Sequence, residues 1–280
     1  MKLKSIKFIF ITAVLIIGWL GFGLWRSNNY LQAHFLNIGQ GTAVLIRTQS
    51  GVNILVDAGP DNLLLAELGE VLHWWDRRLD YVIISHHHAD HIGGLIELAR
   101  RYQIGEVLTT DHHPDQDLLY GLWQAEISKH QIKVTEVEVG ASWQVGENLS
   151  WQILSADDYH EEYNDNSLVL RLTYGQIDWL FPGDLTSAKE LDVLLAGWPL
   201  AAEILNVGHH GSKYSSSLEW LRAIQPKLCI IQSGLGNKFG HPHQEAINRL
   251  NQVGCQVWRN DQQGKITTWS YGQDYWVKSE

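Results

Sequence analysis

Ser85-His86-His87-His88-Ala89-Asp90-His91 holds imidazoles at 86, 88 and 91 and a carboxylate at 90, an ordered His-x-His-x-Asp-His spacing. It follows Tyr81-Val82-Ile83-Ile84, an apolar run that reads as a buried strand. Imidazole nitrogen and carboxylate oxygen are donors that hold borderline divalent metals such as zinc. Successive side chains leaving a strand end point to opposite sides, so alternate residues share a side. His86, His88 and Asp90 can therefore converge, and His91 adds a fourth donor. That exceeds what one structural site draws from a single loop, so the pattern predicts two adjacent metals completed by later ligands. A solvated His-rich surface loop is the competing reading. The order of the cluster, behind a strand and ahead of Gly93-Gly94 and a helical pattern, weighs against it.

Donors of the same types stand at other strand ends. Phe181-Pro182-Gly183-Asp184 closes an apolar strand on an acid, and a carboxylate there can bridge two ions. Val207-Gly208-His209-His210-Gly211 again places histidine after a strand. Adjacent imidazoles on an extended backbone do not easily reach one metal, so His209 is expected to ligate and His210 to orient or meet substrate. Lys213 and the amides around Gly211-Ser212, at the start of a helical pattern, can hold an anionic group. His241, in Gly240-His241-Pro242-His243, is a candidate for substrate binding or proton donation, though His-Pro also serves simply to start a helix. Asp57 and Asn164-Asp165-Asn166-Ser167 can orient ligands from behind, or be plain turn residues. His112-His113-Pro114 reads as a surface loop.

The elements that must position these residues are legible as apolar runs with turn punctuation. Strands are expected at 35–38, 43–47 and 52–56, a helix at 63–75, the strand 81–85 before the metal loop, and a helix at 91–102 behind it. A short strand at 107–110, a helix at 115–130 and strands at 133–139, 149–154, 168–174 and 178–181 follow. Helices at 187–196, 216–224 and 244–253 then alternate with strands at 203–207 and 227–232, and strands at 257–259 and 266–269 close the chain. Strands followed by strand–helix alternation, twice over, fit two mixed sheets with helices outside.

Of the 280 residues, Met1 to Lys7 carries Lys2, Lys4 and Lys7, and Phe8 to Trp25 carries no charge. About 18 apolar residues suffice for a membrane-spanning helix. Trp19 and Trp25 sit where interfacial aromatics sit, and the lysines place the amino terminus in the cytoplasm with the rest of the chain outside. A cleavable signal peptide is the rival, but Gly-Leu-Trp-Arg-Ser-Asn-Asn offers no small-x-small site. Residues 1–29 are thus expected to be anchor and linker, and 30–280 one catalytic domain. The formal net charge of −10 argues against a protein that coats nucleic acid. It does not exclude an enzyme meeting an anion only at a metal-lined cleft. Cys229 and Cys255 are either a disulfide or two buried thiols.

With these residues in hand, the chain resembles the metallo-β-lactamase superfamily: His86, His88, Asp90 and His91 match its first loop and Asp184 its bridging acid. It resembles most the metallo-β-lactamase-like domain of ComEC-type competence (DNA-uptake) proteins. Phe35-Leu-Asn-Ile-Gly-Gln-Gly41, Leu55-Val-Asp-Ala-Gly-Pro60, Asn164-Asp-Asn-Ser-Leu-Val-Leu-Arg-Leu172, Phe181-Pro-Gly-Asp184, His209-His-Gly-Ser-Lys213, Ser215-Ser-Ser217 and Gly240-His-Pro242 carry the likeness, in order, over about 34–269. It departs in Asn37, where the family has Asp, and in lacking the superfamily's usual His between the first loop and the bridging acid. Asn166 falls near that place, and His160 is the outside alternative.

The resemblance implies an α/β (α+β), four-layer αββα sandwich, here with an N-terminal transmembrane helix. It implies metal-assisted hydrolysis with two divalent ions, zinc or else manganese or iron. His86 and His88 would hold one ion, Asp90, His91 and His209 the other, and Asp184 would bridge. His241, Lys213 or His210 would face the substrate. The implied substrate is a phosphodiester, DNA foremost, with DNA-uptake machinery as a partner. A phosphocholine ester, lactone or thioester of the cell envelope is the alternative, and a non-catalytic binding module the third reading.

Overall fold

The computed structural model describes residue 12 and residues 30–110, 117–146, 148–155 and 163–280. The apolar runs become strands. β1 (Leu31–Phe35), β2 (Val44–Arg47), β3 (Asn53–Val56), β4 (Arg78–Ile83), β5 (Gln103–Thr109) and β6 (Lys133–Glu136) belong to one sheet. β7 (Ser142–Val145), β8 (Leu149–Ser155), β9 (Val169–Tyr174), β10 (Ile177–Phe181), β11 (Ile204–Asn206), β12 (Leu228–Ile231) and β13 (Gln256–Arg259) form the second. β14 (Ile266–Ser270) and β15 (Tyr275–Ser279) return to the first, giving the orders β15-β14-β1-β2-β3-β4-β5-β6 and β13-β12-β11-β10-β9-β8-β7.

Three apolar clusters account for four layers. Period-two alternation sends Leu31, Ala33 and Phe35 of β1 inward to meet Leu170 and Leu172 of β9 and Trp179 and Phe181 of β10 between the sheets. Leu45, Leu55 and Val82 on the outer face of the first sheet pack with Leu64, Leu68, Leu95, Leu98 and Trp123 from helices. Leu180, Leu205 and Cys229 on the outer face of the second pack with Val193, Trp220, Leu221 and Leu250. Trp179 also donates its indole N–H to Thr268 Oγ1 across the interior, at 3.2 Å. Full burial of a large apolar side chain stabilises by about 1.5–3 kcal/mol, and all three clusters are built of such side chains.

Topology fixes where chemistry can sit. β3 to β6 are parallel, and so are β10 to β13. Their C-terminal ends deliver Asp57, Ser85 to His91, Asp184, His209-His210 and Gln232 to one edge shared by both sheets. Leu168 N–H donates to Ser85 O at 2.8 Å and stitches the two sheets at that edge.

Several expected elements shift. The first strand is Leu31–Phe35 rather than 35–38, and it pairs with β2 and β14. The helix expected over 63–75 ends at Val71, before His73-Trp74-Trp75. The helix behind the metal loop breaks into Ala89–Ile92 and Leu95–Arg101 at Gly93-Gly94. A Cβ at either glycine would collide with the carbonyl of Pro60 or Ala58, so the break follows from close backbone approach. The helix expected from 216 begins at Leu218, where Ser217 Oγ accepts Trp220 N–H, so Gly211-Ser212 do not sit at its start. The sequence carries no strand expectation for β7 or β15; as edge strands they only half-bury alternate residues and give a weak apolar signal.

Cys229 and Cys255 form a disulfide, with Cα atoms 6.0 Å apart. The uncharged run 8–25, apart from Thr12, lies outside the described residues, as do His112, His113 and His160. Among the described residues no helix is long and apolar enough to cross a membrane.

Candidate metal centre

Ser85 and Asp57 organise the first loop from behind. Asp57 follows β3 with φ 57°, a left-handed turn that aims its carboxylate at the end of β4. Asp57 Oδ1 accepts Ser85 N–H and Oδ2 accepts Ser85 Oγ–H, both at 2.7 Å. His91 Nδ1 donates to Asp57 Oδ2 at 2.8 Å, which leaves His91 Nε2 with its lone pair. Because Ser85 gives its one proton to Asp57, it accepts from His86 Nδ1 at 3.1 Å, leaving His86 Nε2 a lone pair too, 3.2 Å from His88 Nδ1.

His210 closes the other side. His209 and His210 take φ 50° and 53°, so the chain turns left-handedly through both. His210 Nδ1 donates to Gln232 O at 2.9 Å, again freeing Nε2. That Nε2 lies 3.3 Å from Asp90 Oδ2 and 3.4 Å from Asp184 Oδ2. His91 Nε2 lies 3.4 Å from Asp184 Oδ1. Asp184 is itself fixed by donating its backbone N–H to Ser167 Oγ at 3.0 Å.

Asp90, His91, Asp184 and His210 thus each offer one ligand atom, all within 4.8 Å of one another. His91 Nε2 and His210 Nε2 are buried and make no hydrogen bond. A buried, unsatisfied nitrogen costs about 1–3 kcal/mol, and two aimed at two carboxylates are the arrangement a divalent ion would satisfy. The donor set therefore fits a metal.

The electrostatics agree. Burial disfavours charge on His91, but Asp184 and Asp57 outweigh it and hold its pKa well above the ordinary value. Burial likewise opposes charge on His210, yet Asp184 and Asp90 push its pKa up to about 9. Burial would raise Asp184 and Asp90; the facing imidazoles, His210 above all, lower both instead. Two carboxylates facing two imidazoles are the charge pattern that a divalent ion would also satisfy.

The expectation of His209 as ligand and His210 as orienting residue rests on an extended backbone; the left-handed turn instead brings His210, rather than His209, into the group of four converging donors. His209 Nε2 is 3.8 Å from Asp184 Oδ2, and its ring is partly exposed at the mouth. His86 and His88 flank the cluster, the His86 ring 4.1 Å from that of His91. Burial and then His91 push the His86 pKa well down, so it stays a neutral donor. His241 lies 5.6 Å ring to ring from His209 and 6.1 Å from His210. Burial, then His210, His209 and His243, lower its pKa to about 4.

Asn166 is buried in the turn that leads to Ser167. Asp165 accepts Thr186 Oγ1–H at 2.6 Å and so ties its turn to the segment that follows Asp184. Asn37 is exposed and only donates its backbone N–H to Glu67, at 3.0 Å, so it takes no part in the site. Ser85 and the Gln232 carbonyl had no role in the sequence reading; a backbone acceptor leaves no trace in residue identity.

A cavity of about 780 Å³ opens beside the cluster, lined by Asn164, Asp165, Thr186, His209, Lys213 and Tyr214 among others. Lys213 rests its ammonium 5.1 Å from the Tyr214 ring centre.

Comparison with known proteins bears on this centre. A family model described as the metallo-beta-lactamase superfamily matches residues 36–232. ComE operon protein 3 of Bacillus subtilis (strain 168) is 32% identical over 192 residues, covering 68% of this chain and 24% of its own length. Competence protein ComA of Neisseria gonorrhoeae is 30% identical over 233 residues, covering 81% of this chain and 30% of its own. The chain therefore spans about a quarter to a third of the length of these relatives. Among solved structures, CmlA, a diiron β-hydroxylase from Streptomyces venezuelae, shares the fold at TM-score 0.54 and 15% identity, over 82% of this chain and 52% of that one.

Proposed function

This chain belongs to the metallo-beta-lactamase superfamily, and on that premise we propose that it is a membrane-anchored, metal-dependent hydrolase that cleaves phosphodiesters, DNA foremost. The observation that carries the reading is the convergence of Asp90, His91, Asp184 and His210 around two buried, unsatisfied imidazole nitrogens. Its competence-protein relatives point to DNA as the substrate class and to uptake machinery as the setting.

Asp90, His91, Asp184 and His210 would hold one ion, and His86 and His88 would help to hold a second. Asn166 is the candidate for the place the superfamily fills with His. Nitrogen-plus-carboxylate donors suit zinc, manganese or iron. Divalent ions held there supply Lewis acidity for attack by water on a phosphorus or carbonyl centre. The chain's own groups do the positioning. Asp57 and Gln232 O fix the tautomers of His91 and His210. Lys213 offers the cavity a cation, and His241, neutral at neutral pH, offers a ring N–H to a substrate oxygen.

The run 8–25 would anchor the protein with its lysines in the cytoplasm and the domain outside. The Cys229–Cys255 disulfide supports this, because disulfides persist in oxidising compartments.

One observation favours the second reading, hydrolysis of a smaller envelope ester. The cavity lining carries one ammonium, Lys213, and one carboxylate, Asp165, rather than a basic stripe. A panel decides: the full-length protein, loaded with manganese or zinc, is assayed on linear DNA, bis-p-nitrophenyl phosphate, a phosphocholine ester, a lactone and a thioester. Cleavage of DNA, with DNA competing against the small diester, is expected. Turnover of one small ester alone supports the second reading, and no turnover by metal-bound protein sinks both.

A further inference from the structure

The end of the sandwich opposite the metal centre gathers aromatic rings that it does not bury. β1 runs toward the metal edge, and its start pairs Leu31 with Ser270 and Gln32 with Arg47. Tyr30, Tyr271 and Trp276 therefore lie together at the far end, where β14 ends and β15 begins. The turn between the helix Leu63–Val71 and β4 closes at the same end. Arg47 Nη1 donates to Val71 O at 3.3 Å, and Asn53 Nδ2 donates to Asp76 at 3.3 Å. That turn carries Trp74 and Trp75, 79% and 63% exposed, while Tyr271 is 50% and Trp276 37% exposed.

These rings are ordered by one another. Tyr30 meets Trp276 edge-on at 4.7 Å, and Trp276 stacks on Trp269 at 6.0 Å. Trp74 meets Trp75 edge-on at 5.4 Å, and Trp75 stacks on His73 at 4.5 Å. Of the cationic groups beside them, Arg47 pairs with Asp76 and Arg78 with Asp80, while Arg77 donates to Trp74 O at 3.3 Å and lies over the Tyr102 ring. The surface is thus aromatic rather than basic. Trp and Tyr, apolar in body and polar at one tip, favour the membrane–water interface.

Chain length identifies the occupant. Only Arg26-Ser27-Asn28-Asn29 separates the uncharged run 8–25 from Tyr30. Four residues reach at most about 14 Å. If that run spans the bilayer, Tyr30 and the rings around it cannot stand clear of the lipid surface.

We propose that this aromatic end seats the domain on the interface of the outer leaflet and turns the metal centre away from the bilayer. The proposal rests on the anchor reading above. Seating then needs no anionic lipid.

The test uses the full-length chain in phosphatidylcholine vesicles, with tryptophan quenching by dibrominated phosphatidylcholine. The wild type is compared with Trp74→Ser/Trp75→Ser, and separately with Trp276→Ser, each checked for an unchanged thermal midpoint. If Trp74 and Trp75 touch lipid, removing them lowers the quenched fraction of total emission. A quenched fraction that stays level or rises in both variants, while the chain still floats with vesicles, overturns the seating and leaves the anchor standing. A protein partner on the same rings would give that second result. A chain that does not float with vesicles overturns the anchor reading and the seating with it.

Discussion

At the level of single residues, His209 and His210 differ in how they face the carboxylates of Asp90 and Asp184. His210 is buried, tautomer-fixed by Gln232 O, and close to both carboxylates; His209 sits at the mouth. His210→Ala should therefore lower retained metal, while His209→Ala should keep it and mainly raise KM. Metal analysis after dialysis, beside steady-state kinetics, checks both; metal loss in His209→Ala alone would reverse the assignment. Asp57→Asn removes the charge behind His91 and should weaken metal affinity about 10–100-fold, as loss of an orienting partner does. A second residue-scale effect lies away from the centre. His34 Nε2 donates to Gln32 Oε1 at 3.2 Å and its Nδ1 accepts from Thr267 Oγ1 at 2.9 Å, and burial, then Arg47 and Lys265, lower its pKa to about 3. The unfolded chain takes a proton near pH 6.5, the folded chain only near 3. This contribution is therefore intact above pH 6.5 and is lost as pH falls toward 3, at about 1.4 kcal/mol per unit. Between pH 6.5 and 4.5, His34→Gln should lose less stability than wild type by about 2–3 kcal/mol in urea titrations. Parallel losses would refute it. The ligand types and their order were legible at this scale; the handedness of the turn at 209–210 was not, because positive φ at two non-glycine residues is uncommon and their identity does not announce it.

Elements were legible where they are buried on both faces or strongly amphipathic. β10, β11 and β12 announced themselves as short apolar runs, and the strand before the metal loop did likewise. The helix behind that loop was misread through Gly93-Gly94, because the carbonyls that demand glycine there belong to residues some thirty positions earlier. Edge strands β7 and β15 carry too little apolar alternation to be seen locally. The disulfide was left open by sequence and is set by parallel pairing of β12 with β13, which brings Cys255 beside Cys229. It closes a span of 26 residues, so Cys229→Ala/Cys255→Ala should cost about 3 kcal/mol. Denaturation midpoints of the oxidised protein and the variant test this; coincident curves would show that the bond is absent in the native protein.

At the scale of the whole molecule, two parallel halves place the C-terminal ends of their strands at one edge, and every candidate ligand lies just beyond one of them. The opposite end holds Tyr30, Trp74, Trp75, Tyr271 and Trp276, so the candidate ligands and this aromatic group lie at opposite ends of the sandwich. The four-layer architecture was readable from the strand–helix order, and the meeting of the two sheets at Ser85 and Leu168 was not, since a single backbone hydrogen bond makes it. The most direct test of the central claim is the initial rate of bis-p-nitrophenyl phosphate hydrolysis by the full-length protein with added manganese or zinc, wild type beside Asp184→Asn. A metal-dependent rate that falls at least about 100-fold in the variant is predicted, as for loss of a group that stabilises transition-state charge. Equal rates in the two proteins, or a wild-type rate indifferent to a chelator, would contradict it.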